Sequence, residues 1–352
     1  MNATIRLSRS DDDPALVALS ARSPMQAPLS ICIERSPSFF ALRDLRGPSR
    51  TLVAERNGIV VGCVSVTRRR VLWSGEPREV DYVADLKVPP TERRMGVGRA
   101  LVEAVLRDAR RLLIWTSAVG NDPLSGVLRS SGIASAPLAR FTAFQLLPIF
   151  VRSRIPSGVA RASTSDESEL RALLDTAFRR RQLAPVLDGT TDLGGIPLDG
   201  YLVARRAGRI VAALATWEGS SVKQTRIVRM TRALRLLQRA TTLLPLSSRA
   251  LPPEGSLLRF HCVRNAVCRD DAVDTLATVL RAALHEASVR GDHFLLFGCD
   301  ERDPFTGGVA RMPRLTYRYE LRGWHPDEHG RSTEAKSPPS TNPLYFDDAA
   351  LS

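Results

Sequence analysis

The chain has 352 residues, enough for two compact domains, and its 43% hydrophobic and 25% charged content suits a chain that buries a core. Its net charge of +13 favours acidic partners, whether phosphate-bearing ligands, nucleic acid or an anionic membrane, although an Arg-rich proteome would give the same balance. The five cysteines (Cys32, Cys63, Cys262, Cys268 and Cys299) are odd in number and contain no C-x-x-C pair, which argues against a disulfide framework and against any structural zinc.

In chain order, Ala3–Leu7 predicts a strand, and Asp11-Asp12-Asp13-Pro14 predicts a helix start, with acids in the first turn and Pro at N1. Ser23–Ser38 is punctuated by Pro and reads as a loop, followed by a short helix over Phe39–Leu45. Thr51–Arg56 and Ile59–Thr67 flank Asn57-Gly58, a hairpin pattern with its tight turn. Arg78–Val88 predicts a strand and Gly98–Arg110 a helix, with Leu101, Val102, Val105 and Leu106 on one face. Leu112–Thr116 predicts a buried strand. Met1–Ser10 lacks the apolar core of a signal peptide, and no run approaches the roughly 18 apolar residues of a membrane span, so the expected location is cytoplasmic.

Between the predicted strand 78–88 and the helix that follows lies the series Val88-x-Pro90-x-x-Arg93-x-x-Gly96-x-Gly98. Glycines let backbone N–H groups come close to a phosphate at a helix N-terminus, and Arg93, Arg94 and Arg99 add positive charge there. The segment resembles the acyl-CoA-binding motif of the GNAT acyltransferase superfamily, Gln/Arg-x-x-Gly-x-Gly/Ala, and the element order over about residues 3–148 is similar to that fold. The resemblance implies an α/β (α+β) fold with a mixed central sheet flanked by helices. It also implies transfer of an acetyl group from acetyl-CoA, or of another acyl group from its CoA thioester, to an amine on a small molecule or protein. By position the implied cofactor-binding residues are Leu86, Lys87, Val88, Arg93, Arg94, Met95, Gly96, Val97, Gly98, Arg99 and Asn121. Asn121 before Asp122-Pro123 reads equally well as a helix cap. No metal is expected.

The second half repeats the first. Leu52–Gly62 aligns with Leu202–Ala212 as strand, Gly turn and strand. After it come a strand at Leu257–Val263, a helix at Asp271–Arg290, a strand at Phe294–Phe297 and another at Thr316–Leu321. The expected organisation is two tandem GNAT-like domains, 1–150 with the intact loop and 156–324 without it, and a disordered tail over 325–352. Where the second loop belongs, the chain reads Val263–Asp271 with no Gly and with Asp270 and Asp271 at the helix start, a poor setting for pyrophosphate. An insert at 222–250 is rich in Arg. Ile227, Met230, Leu234 and Leu237 share one face of the helix expected there, which either docks on its own domain or meets an acidic partner or, as a peripheral contact, an anionic membrane. Nucleic acid is disfavoured by an aromatic content of 6% and no stacking pattern.

Acyl transfer of this kind needs a polarised thioester, an amine that loses a proton and a stabilised thiolate. Strand alternation puts Glu79, Asp81, Asp85 and Lys87 on one face and Tyr82, Leu86 and Val88 on the other, so Asp85 and Asp81 are the candidate catalytic bases. Many members of the resembled family carry Asn…Leu-Tyr-x-x-x-Gly-Phe. Here Leu128 stands at the Tyr position and cannot donate a proton. A non-catalytic acyl-CoA sensor is therefore the alternative to an enzyme.

Overall fold

A computed structural model describes residues 3–25, 29–133, 137–148, 156–187, 193, 195–242, 252–269, 272–326, 332–334 and 343–345. The first half runs β1 (Thr4–Leu7), α1 (Asp13–Ala21), β2 (Leu29–Glu34), α2 (Phe39–Arg46), β3 (Ser49–Arg56), β4 (Ile59–Trp73), β5 (Glu76–Lys87), α3 (Val97–Arg107), β6 (Leu113–Ala118), α4 (Asp122–Ser130) and β7 (Pro137–Leu146). The second half begins with β8 (Val159–Arg161), α5 (Glu167–Arg179), β9 (Ala184–Pro185), β10 (Tyr201–Arg206), β11 (Arg209–Trp217), β12 (Gln224–Met230) and α6 (Arg232–Thr242). It continues with β13 (Leu257–Leu258), β14 (Phe260–Cys268), α7 (Val273–Arg290), β15 (Phe294–Asp300), α8 (Phe305–Val309), β16 (Arg314–Pro326) and β17 (Ser332–Glu334).

One mixed sheet flanked by helices runs through both halves, in the order β1-β3-β4-β5-β6-β16-β7-β15-β14-β11-β10-β8. The order mirrors itself about its centre, β1 answering β8, β3 answering β10, β4 answering β11, β5 answering β14 and β6 answering β15. At the centre each half lends its last strand to the other. β16 pairs with β6 from Tyr319↔Ala118 to Trp324↔Leu113, and β7 pairs with β15 from Leu295↔Leu146 to Asp300↔Phe141. The exchanged strands then pair with each other, from Arg314↔Leu146 to Arg322↔Pro137. Both hairpins adopt the same turn, with positive φ at Asn57 and Gly58 and again at Ala207 and Gly208.

Helices cover both faces. On one, Leu101, Val102 and Val105 of α3 pack on Leu52, Val64 and Val66 of the sheet. On the other, Leu16 and Leu19 of α1 and Phe39 of α2 pack on Val53 and Cys63. α7 and α5 cover the sheet in the second half.

Three expectations are corrected. The loop expected over Ser23–Ser38 contains β2, whose partner is β12, from Gln224↔Glu34 to Met230↔Leu29. A ladder partner so distant in sequence leaves no local trace. The same pairing takes Gln224–Met230 out of the helix expected in the insert 222–250. Ile227 and Met230 are buried as strand residues, and a register shift after Ile227 mimics helical spacing. A helix remains over Arg232–Thr242, with Leu234 half-buried and Leu236 exposed, while 243–251 lie outside the described residues. The tail is not uniformly without structure. β16 runs to Pro326, β17 pairs with it, Leu344 is buried, and the Leu344 N–H donates to Asp300 Oδ2 (2.8 Å).

Candidate active site

Pro89 and Pro90 end β5, because proline offers no N–H to a ladder. A single 3-10 turn, Pro90–Glu92, follows, and the backbone enters the left-handed region at Arg94 (φ 64) and Gly96 (φ 78) before α3 begins at Val97. No side chain caps α3. The helix's first N–H groups have no acceptor within it, and they collect where the helix dipole is positive. A Cβ on Gly96 would meet nothing within 4 Å, so the space over the turn is open. The two glycines have different jobs. Only Gly96 has positive φ; a Cβ on Gly98 would lie 3.2 Å from Val127 Cγ2, so Gly98 lets α4 pack against α3. Arg93, Arg94, Met95 and Arg99 are exposed around the turn, and Val97 is buried beneath it. Arg93 Nε donates to Val88 O (3.2 Å), Arg99 pairs with Glu103 (2.7 Å), and Arg56 pairs with Glu92 (2.5 Å), which ties the turn to β3.

The turn stands at the mouth of a wedge. β5 and β6 are parallel and pair only at Asp81↔Leu113 and Tyr82↔Ile114. Beyond that point they part, so residues 83–88 have no ladder partner on the β6 side. At the apex the Tyr82 hydroxyl lies 3.0 Å from Thr116 Oγ1. Leu86, Lys87 and Val88 line the β5 wall of the wedge, with Leu86 and Val88 packed towards α3.

Asp85 and Asp81 do not share a face. Asp85 has φ 54, and the β4–β5 register shifts between Cys63↔Lys87 and Ser65↔Ala84. This bulge inserts one residue and breaks the alternation assumed from sequence. Asp81 stays on the α3 face with Val83, whereas Asp85 and Lys87 join Tyr82 on the face of α1 and α2. Arg35 Nη2 donates to Asp85 Oδ1 (2.5 Å) and Arg46 Nη1 donates to Asp85 Oδ2 (2.6 Å). Both guanidiniums and the carboxylate are almost wholly buried. Burial alone would raise the Asp85 pKa, but Arg35, Arg46 and then Lys87 hold it well below the carboxylate range. An aspartate so held keeps its charge and takes up protons poorly. Asp81 lies about 13 Å back along the strand, at the closed end of the wedge, and its N–H donates to Leu112 O (2.9 Å).

Asn121 caps α4, its side-chain oxygen accepting from the Leu124 N–H (3.4 Å). Leu128 is buried among α3 and α4 residues. Sequence reasoning missed Arg35, Arg46 and Lys223. Arg35 follows the unpredicted β2, and Lys223 comes from the insert of the second half. Burial lowers the Lys223 pKa to about 7, with Arg35 and Arg46 adding to the effect against Cys262 and Asp85.

The second half has a matching wedge. β14 and β15 pair in parallel only from Phe260↔Phe294 to Cys262↔Leu296, and Asn265 (φ 51) forms the bulge that answers Asp85. Here Tyr345, packed on Phe178 of α5, meets the bulge. The Tyr345 hydroxyl donates to Asn265 Oδ1 (2.6 Å), and Asn265 Nδ2 donates to the Tyr201 hydroxyl (2.5 Å) and to Leu193 O (3.1 Å). Asp270 and Asp271 lie outside the described residues, and α7 begins at Val273 with no side-chain cap.

Residues 20–132 match the family model described as the acetyltransferase (GNAT) family. No curated protein sequence matches the chain. Among solved structures the fold is similar to a Saccharomyces cerevisiae N-myristoyltransferase with bound myristoyl-CoA. That match has 9% identity over 91% of this chain and 82% of that one, at a TM-score of 0.57. A second structure of that enzyme, with myristoyl-CoA and inhibitors, matches at 9% identity over 98% and 86%, TM-score 0.59. A GCN5-related N-acetyltransferase from Sphaerobacter thermophilus matches at 16% identity over 91% and 94%, TM-score 0.57. With an uncapped glycine turn at the mouth of a parting parallel pair, and the family match falling on those same residues, residues 20–132 of this chain are a GNAT-family domain.

Proposed function

We propose that the chain is an acyl-CoA-dependent N-acyltransferase, with acetyl-CoA as the donor. The observation that carries this reading is the uncapped N-terminus of α3 at the mouth of the β5–β6 wedge, with open space over Gly96. The turn over residues 93–99 would hold the pyrophosphate through its N–H groups, with Arg93, Arg94 and Arg99 adding charge. The pantetheine arm would run into the wedge, where Leu86, Lys87 and Val88 have no ladder partner towards β6, and their N–H groups can polarise the thioester carbonyl. The amine nitrogen attacks that carbon from the α1 and α2 face, the C–S bond breaks, and the sulfur leaves as thiolate. Asp85 is a poor base beside two arginines, so the amine proton passes to water and the thiolate takes its proton from water or the Tyr82 hydroxyl. Asn121 would touch the cofactor only through the part of its amide that capping leaves free.

In this reading 1–150 and 156–324 are two GNAT-like units with a single donor site, since no glycine stands between β14 and α7. Calorimetry should give one acetyl-CoA per chain. Gly96→Val forces a β-branched residue to φ 78 and should cut affinity at least about 100-fold while the chain remains folded by circular dichroism. Unchanged affinity would remove the phosphate cradle from the mechanism. Leu128 and the two arginines on Asp85 favour the alternative, a non-catalytic acyl-CoA sensor. Thiol release that depends on an added amine distinguishes the enzyme from the sensor.

A further inference from the structure

The α1 and α2 face of β5 gathers several basic groups near one carboxylate. Arg35 and Arg46 both bind Asp85, and Lys87 and Lys223 act on it through space. Arg35 is 1% exposed, yet its Nε and Nη1 have no hydrogen-bond partner among the described residues. Asp85 takes only the intervening nitrogen, Nη2. A buried donor without an acceptor costs about 1–3 kcal/mol, and more when it is charged. Four basic groups around one carboxylate also repel one another where the dielectric is low. Missing acceptors on a buried guanidinium mark the place of an anion. The next two residues in the chain, Ser36 and Pro37, are exposed.

Position decides what the anion belongs to. The cluster is on the sheet face opposite α3, whose N-terminus is the cradle for the donor. It lies where the amine must approach, and β12 of the second half pairs with β2 beside it, with Lys223 next to the strand. Resting on the acyltransferase reading, we infer that the acceptor is an amine that also bears a carboxylate, and that Arg35 binds this carboxylate through one of the two nitrogens Asp85 leaves free. A carboxylate carries one charge to desolvate at a guanidinium this deeply buried, whereas a phosphoryl dianion costs more to bring there. Asp85 acts as a positioning residue that fixes the arginine.

The test offers free amino acids, and the same compounds as carboxamides, to the full chain saturated with acetyl-CoA, and reads both thiol release and calorimetric binding. The free acids are expected to be preferred by roughly tenfold or more in kcat/KM or affinity. Arg35→Gln should erase that preference and leave acetyl-CoA binding intact. Equal treatment of acid and amide by the unaltered chain overturns the inference, whether or not the variant folds. So does failure of every carboxylate-bearing amine to bind or react. A preference for succinyl-CoA over acetyl-CoA that Arg35→Gln removes would put the carboxylate on the donor and also overturn it. Loss of acetyl-CoA binding by the unaltered chain is a separate result, which refutes the donor site instead.

Discussion

Asp85 and Lys223 show how burial and neighbours set the charge of single groups in this protein. Asp85 stays ionised because two buried guanidiniums outweigh its desolvation. Lys223 has the opposite balance, since burial and two like charges bring its pKa from 10.5 to about 7. The consequence for stability follows from linkage. Between about pH 7 and 10.5 the unfolded chain holds the Lys223 proton more tightly than the folded one. Stability therefore rises with pH across that window, and the full penalty is present below it. Lys223→Met should make the protein more stable at pH 7 and flatten the rise in unfolding free energy between pH 7 and 10, measured by urea denaturation. An unaltered pH profile would mean that Lys223 is charged in the fold and sits in better-solvated surroundings.

At the level of elements, the hairpins were legible because Asn57-Gly58 and Ala207-Gly208 are local signals. α3 was legible from the spacing of Leu101, Val102 and Val105, all buried on the sheet. The second turn is the less favourable copy, because Ala207 occupies the left-handed region at φ 49 where the first turn has Asn. Ala207→Gly should stabilise the protein by about 1 kcal/mol, read as a shift in the denaturation midpoint with the slope unchanged. β2 and β12 were not legible. Each is short, and they are held by each other across more than half the chain. The bulge at Asp85 was invisible for a related reason: the register shift depends on how β4 and β5 meet, not on the composition of either.

For the whole molecule, the exchanged central strands matter most. β16 lies between β6 and β7, so neither half closes its sheet with its own residues. Residues 1–150 expressed alone should lack a cooperative unfolding transition, because β6 and β7 would both present open edges. The full chain should unfold in one transition by heat. Two well-separated transitions, or an independently folded 1–150 fragment, would mean that the halves are energetically separate despite the shared sheet.

The sequence by itself determined the glycine turn: strand, proline, arginine, two glycines and helix lie within sixteen consecutive residues, so the turn is written in local spacing. It also carried the repeat, because matching hairpins recur at matching places. The tertiary structure alone decided the basic cluster around Asp85. Arg35, Arg46, Asp85 and Lys223 come from four separate stretches of chain, and only packing brings them together. It alone separated Asp81 from Asp85, through one inserted residue, and it alone set Tyr345 against Asn265. Contacts between distant segments depend on the closed fold, and no window of sequence contains them.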